Sequence, residues 1–162
     1  MAAKPKSEFV IMQTKSTNIY QAAREAAGFT QERAAELMQI SLTSIKDYER
    51  DVTVPKNSVV AQMVDLYNCQ LLGLQHLRSS DLGKTYLPDV RELSLQAASI
   101  ALLNRINDFA KKNRVEELLT IAEDNAISES EREAFDAIVE DLNSIVQASI
   151  ALRCVQTEVA AK

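Results

Sequence analysis

The 32 residues from Arg24 to Pro55, REAAGFTQERAAELMQISLTSIKDYERDVTVP, leave the chain little choice of local structure. Asn18 is placed to cap a short helix that turns Ile19, Ala23 and Ala26 inward and ends at Gly28. Glycine suits the left-handed residue that closes a helix, because it has no Cβ to clash. Phe29 anchors the turn, and Thr30 caps a second helix, Gln31 to Met38. Its small residues Ala34 and Ala35 let another helix cross at the short end of the usual spacing. Gln39 and Ile40 then turn the chain, Ser41 is the next cap, and a third helix runs from Leu42 to about Arg50. Ile45 and Tyr48 face inward on it, and Leu42, Thr43, Lys46, Asp47 and Arg50 face outward.

This run resembles the helix-turn-helix of the phage repressor and Cro class, also called the XRE family. Arg24, Gly28, Thr30-Gln31, Ala35, Ile40-Ser41, Ile45, Tyr48-Glu49 and Pro55 fall where the family motif has those residue types. The resemblance implies that the third helix enters the major groove of double-stranded DNA while the second crosses the backbone. Carried over by position, it assigns Leu42, Thr43, Lys46 and Asp47 to bases or nearby phosphates. Gln31, at the start of the second helix, would hold a phosphate oxygen, with Ser41, Lys56 and Asn57 as further backbone contacts. Arg24 and Glu49 match a partly buried structural ion pair. A cytoplasmic transcriptional regulator, bacterial or phage-encoded and acting as a repressor, is the function implied. The sequence departs from the pattern at Gln39, Asp51 and Asn68, where the family usually has glycine. It departs again at Asp47, a carboxylate where an amide or cation is common and where phosphate would repel it.

Charge sets a condition on that reading. Residues 1–78 carry nine Lys/Arg against eight Asp/Glu, a balance of +1, and residues 79–162 carry nine against fifteen, a balance of −6. Phosphate neutralisation supplies much of the affinity of nucleic-acid domains, so one copy should bind weakly and two copies should share a site. Lys4, Lys6 and Lys15 would form a flexible basic arm over residues 1–15. The weak charge and Asp47 equally suit a second reading, in which the helix-turn-helix domain serves protein interaction, as in an antitoxin or anti-regulator.

Past the third helix, Val60, Met63, Val64 and Tyr67 recur at helical spacing and Leu71, Leu72, Leu74 and Leu77 follow, completing a five-helix domain over 16–78. Cys69 takes a small buried position in it. Ser, Gly and Pro gather in the linker 79–89, and residues 90–162 read as a long antiparallel helical hairpin, making the chain all-α. One long helix with a stripe of Leu93, Ala97, Ile100, Leu103, Ile106 and Ala110 is expected, bending at the polar run 111–114. Ser128 and Glu131 form a capping box that opens the last helix, whose seam is Phe135, Ile138, Leu142, Ile145, Ser149 and Leu152. The string ASIAL occurs at Ala98–Leu102 and at Ala148–Leu152, symmetrically about residue 125, so the two copies would lie level in the hairpin. Such a pair of helices buries little alone. A homodimer is therefore expected, joined through Ile100, Leu103, Ile138, Leu142, Ile145 and Leu152. The turn at Ile121 to Ser128 is similar to that of small phage regulatory proteins with acidic helical tails.

Other chemistry finds little footing. Cys69, Cys154 and the single His76 have no metal-ligand spacing, and no nucleophile with its base, paired acids or phosphate loop can be assembled. No enzyme activity, cofactor, metal or small-molecule ligand is expected. No apolar stretch approaches the roughly 20 residues that span a bilayer.

Overall fold

A computed structural model describes residues 18–155. The proposed arm at 1–15 lies outside the described residues. Within them the protein is all-α: α1 (Ile19–Ala26), α2 (Gln31–Met38), α3 (Leu42–Glu49), α4 (Asn57–Tyr67), α5 (Gln70–Leu77), α6 (Asp81–Tyr86), α7 (Leu95–Lys111), α8 (Arg114–Ile121) and α9 (Arg132–Arg153). No helix among the described residues is long and apolar enough to cross a membrane.

The first three helices start at the expected caps. Asn18 accepts from the N–H of Tyr20 and Gln21, Thr30 from that of Arg33, and Ser41 from that of Ser44. Each bond satisfies donors that a helix start leaves unpaired. Gly28 closes the first turn at φ +76, with open space where a Cβ would stand, so conformation alone explains the glycine. Gln39, Asp51 and Asn68, the three positions that lack the family's glycine, all adopt the left-handed conformation, with φ of 55, 58 and 50. Asn and Asp tolerate that region; Gln39 bears strain of about 1–2 kcal/mol there.

Ala34, Ala35, Ile45, Val60, Met63, Tyr67, Leu71 and Leu72 form the core of the domain. On α1 Ala23 is buried and Ile19 packs half-buried on the core as expected, whereas Ala26 is exposed and Tyr20 and Ala27 turn inward in its place. Cys69 is buried as expected, and Cys154 at the end of α9 belongs to the same core cluster. The two buried thiols thus share one cluster at the joint between domain and hairpin, although the sequence places them 85 residues apart. Burial pushes the Cys154 thiol up, helped by nearby Cys69.

Corrections begin at the linker. Residues 81–86 form α6, capped by Ser80, and Gly83 lies so close to the carbonyl of Leu77 that any Cβ would collide with it. The long helix expected after Pro88 starts only at Leu95, under a Ser94 cap, and stops at Lys111. Asn113 then takes φ 56 and α8 sets off in a new direction. Asparagine in a left-handed residue ends a helix as glycine does, which a search for Gly and Pro alone overlooks. Ser128 and Glu131 do pair, the Ser128 N–H donating to Oε2 at 2.9 Å, but regular helix begins at Arg132.

The seam of α7 also differs from the expected stripe. Ile100, Leu103 and Ile106 are 50, 58 and 46% exposed, while Ala98 is fully buried against the hairpin's interior. Short side chains let two backbones approach closely, and an isoleucine or leucine in that line would hold them apart. The two ASIAL copies accordingly meet: Ala98 and Ala148 are both buried, and Ala101 lines the same cleft as Ala148 and Ala151. On α9, Ile138 is fully buried and Ile145 and Leu152 half-buried, whereas Leu142 is 38% exposed. Beyond the seam, Asp141 of α9 holds Lys112 Nζ at 2.7 Å and Arg114 Nε at 2.9 Å. These two bonds, Lys112's first, keep the Asp141 carboxyl below its usual range.

The residues squeezed out of the seam share a side. Leu103 and Ile106 on α7 and Val139, Leu142 and Val146 on α9 lie roughly a third of a turn from their seams, displaced the same way round each helix at 3.6 residues per turn. Because the helices are antiparallel, equal rotations bring both stripes to one face. Further along the same side of α9, near its C-terminal end, Ile150, Arg153 and Cys154 line a hollow with Val64, Gly73, Leu74 and Leu77 of the first domain, and Cys154 belongs to that domain's core with Ile150 packed against it.

Candidate nucleic-acid interface

The start of α3 is held out from the domain by the way α2 and α3 meet. Left-handed Gln39 aims the chain, Ile40 tucks half-buried against the core, and Ser41 turns its hydroxyl to the helix end, bonding Ser44 Oγ at 2.8 Å and Ser44 N at 3.0 Å. Leu42 packs against the core cluster, which fixes the helix in rotation. Ser41 and Thr43 are exposed, and Lys46 and Asp47 half-buried. Among the described residues the side chains of Thr43, Lys46 and Asp47 make no hydrogen bond, and α3 packs on α1 and α2. Their ends are therefore available to a partner on one surface, which exposed backbone N–H groups at the α3 start share.

The far end of α3 is locked. Arg24 donates from Nε to Glu49 Oε1 at 2.6 Å and from Nη2 to Oε2 at 3.0 Å, and its Nη1 donates to the carbonyl of Phe29 at 2.6 Å. Arg24 and Glu49 are only 6 and 8% exposed. Bonding to Glu49, more than any other influence, raises the Arg24 pKa. Two bonds in a planar fork orient as well as attract, so the pair ties α1 to the end of α3 at a fixed angle. Gln31 joins it, its amide donating to Glu49 Oε2 at 2.7 Å. One amide hydrogen of Gln31 is thereby committed and one remains for an outside acceptor.

Lys56 and Asn57 stand at the start of α4, both exposed. Asn57 has an internal duty that its position in the sequence does not show: its Oδ1 lies 2.9 Å from His76 Nε2, and His76 Nδ1 lies 2.8 Å from the hydroxyl of Tyr20. This line of bonds joins the starts of α1 and α4 to the end of α5 through side chains 19 and 56 residues apart, beyond the reach of any spacing rule. The Asn57 amide N–H groups make no hydrogen bond among the described residues.

Burial pushes the His76 imidazole below its usual 6.5. The unfolded chain therefore takes up the proton first as pH falls, so stability from this site is full above about 6.5 and is lost below it. The urea midpoint should fall from pH 7 to pH 5.5, and His76→Gln should flatten that slope. Glu131 and Asp141 are held below their ordinary 4.5 and 3.8 and act in a lower window. A midpoint as steep in the variant as in the parent would remove His76 from the account.

Among the described residues no group of His, Cys, Asp and Glu could hold a metal ion. The positively charged groups near the α3 surface are Lys46, Arg50 and Lys56, set against Asp47 and Asp51; Asp51 accepts from the Asn18 amide at 2.5 Å.

Comparison with known proteins bears on this geometry. The family described as "Helix-turn-helix domain" matches residues 21–77. The chain is 33% identical over 78 residues to the HTH-type transcriptional regulator ImmR of Bacillus subtilis (strain 168), a match that covers 44% of this chain and 61% of that protein. No solved structure matches. The segment from within α1 to the end of α5, with Ser41 opening α3 and Arg24 clamped on Glu49, is the part of the chain that is similar to the helix-turn-helix domain family.

Proposed function

We propose that this protein is a DNA-binding transcriptional regulator that represses by occupying a palindromic operator as a homodimer, with α3 in the major groove. One observation carries the reading: Ser41, Thr43, Lys46 and Asp47 present one accessible face of α3, while Ile45 and Leu42 seat the helix on the core and Arg24 clamps its far end through Glu49. The name of the ImmR relative, an HTH-type transcriptional regulator, supports it. Thr43 and Lys46 read base edges, Leu42 and Asp47 flank them, and Asp47 favours a cytosine amine. Gln31, Ser41, Lys56 and Asn57 hold phosphates and set the register.

Two copies are joined through the hairpins' apolar faces. Leu103 and Leu142, with Ile100 beside them, supply the contact, and Ile138, Ile145 and Leu152 shape the hairpin that presents it. An antiparallel four-helix bundle of this kind would hold two α3 helices about one helical turn of DNA apart, near 34 Å. Dimerisation answers the charge balance, since +1 over residues 1–78 is too little for one copy to hold a duplex firmly.

Selection from a random duplex pool with the full chain tests the reading and should return a palindrome. Thr43→Ala with Lys46→Ala should then lose about 1–3 kcal/mol of discrimination for each base contact removed, with unchanged circular dichroism. An unchanged footprint would overturn the assignment of α3. Indifference to every duplex in dilute buffer, with a fixed protein partner co-purifying, would favour the antitoxin or anti-regulator reading, which the acidic second half suits.

A further inference from the structure

Where the stretch before α7 crosses the hairpin, a cleft of about 370 Å³ opens between it, α7 and α9. Its floor is made of Val90, Ala101, Ala148 and Ala151, and Arg91 and Arg105 stand at its rim. The alanines come from the two ASIAL copies, so the short side chains that let the helices close up also leave this hollow above their seam.

Its charge is unusual for its surroundings. Asp89, the carboxylate in the lining, is taken by Arg78 at 2.5 Å, and its carbonyl accepts from the Gln147 amide at 2.6 Å. Arg91 and Arg105 have no carboxylate within 4.0 Å among the described residues. Two uncommitted guanidinium groups thus border one apolar hollow in the half of the chain whose balance is −6.

We propose that this cleft binds a small amphipathic carboxylate, its anionic end between Arg91 and Arg105 and its hydrocarbon body on the alanine floor. Guanidinium presents paired N–H donors that match a carboxylate, and the volume falls within the roughly 300–1,000 Å³ of small-molecule sites. A straight chain of six to eight carbons suits a floor of alanines and Val90 walled by Leu93. Val90 and Ala151 belong also to the core cluster of the first domain, so a ligand resting on them touches the joint that sets domain against hairpin. The lining residues Ser144, Gln147 and Ala148 lie on a different side of α9 from Val139, Leu142 and Val146, so a second copy on the apolar face would leave the cleft open.

Titration of the full chain with hexanoate and octanoate, followed by calorimetry, tests this without DNA, so its outcome is separate from that of the regulator reading. Hexanamide is the neutral counterpart. Hexanoate should bind at least about tenfold more tightly than hexanamide, the advantage of a charge-assisted hydrogen bond. Arg91→Gln with Arg105→Gln should erase that difference. Ala101→Leu should block both compounds while leaving circular dichroism unchanged. Equal binding of hexanamide and hexanoate, full binding by the double arginine variant, or no binding of either acid would overturn the proposal.

Discussion

Glu49→Ala lowers the free energy of unfolding by about 3–5 kcal/mol, the effect expected when one partner of a buried ion pair is removed. The magnitude comes from what is left behind. Arg24 is 6% exposed and loses two bonds of 2.6 and 3.0 Å, keeping the Phe29 carbonyl and a longer contact of 3.5 Å to the half-exposed Glu25 carboxylate, and Gln31 loses its acceptor too. A guanidinium buried in that position without the Glu49 carboxylate has lost its main counter-charge and has little water to replace it. Domains of this size hold about 5–15 kcal/mol in all, so the loss consumes a large share. Urea unfolding followed by circular dichroism measures it. Replacing both residues, Arg24→Met with Glu49→Leu, should recover most of the loss, because no unpaired charge remains. A midpoint within experimental scatter of the parent for Glu49→Ala would show that the pair orients α3 without stabilising the domain. The distinction matters for function, since a destabilised domain loses every duplex alike.

How far the sequence could be read follows from where each signal sits. Caps and turns are local, and so Asn18, Gly28, Thr30 and Ser41 gave the bounds of α1, α2 and α3 to within a residue. The left-handed conformations at Gln39, Asp51 and Asn68 were visible as departures from a pattern of glycines. Asn113 was not, because a single polar residue inside a polar run carries no distinctive mark. The α7 seam failed for a different reason. Large apolar residues at steps of three and four look like a buried stripe, yet the line that turns inward runs through fully buried Ala98 with Ala101, Leu102 and Phe109 half-buried beside it, and small size decides the contact at Ala98. Only the repeated ASIAL string hinted at it. The Tyr20–His76–Asn57 line and the shared core cluster of Cys69 and Cys154 depend on tertiary packing and left no local trace.

That misjudged seam is what makes the second large prediction specific. Leu103→Glu with Leu142→Glu should convert a dimer into a monomer, halving the mass measured by light scattering at tens of micromolar protein. Both side chains are already exposed in the single chain, 58 and 38%, so the hairpin itself should fold as before and retain its helical circular dichroism. Ile138→Glu is the contrasting case: Ile138 is fully buried, and a carboxylate there should melt the hairpin itself. Separating these outcomes distinguishes a face that joins two copies from a seam that holds one together. Loss of the second copy also removes the tether that turns binding of the second half-site into an intramolecular event, so operator affinity should fall by about 10²–10⁴-fold. A monomeric parent at that concentration, or a double variant that stays dimeric, would mean that Leu103 and Leu142 meet no second copy. The weak charge of the first domain would then have to be offset by some contact other than a twin helix-turn-helix.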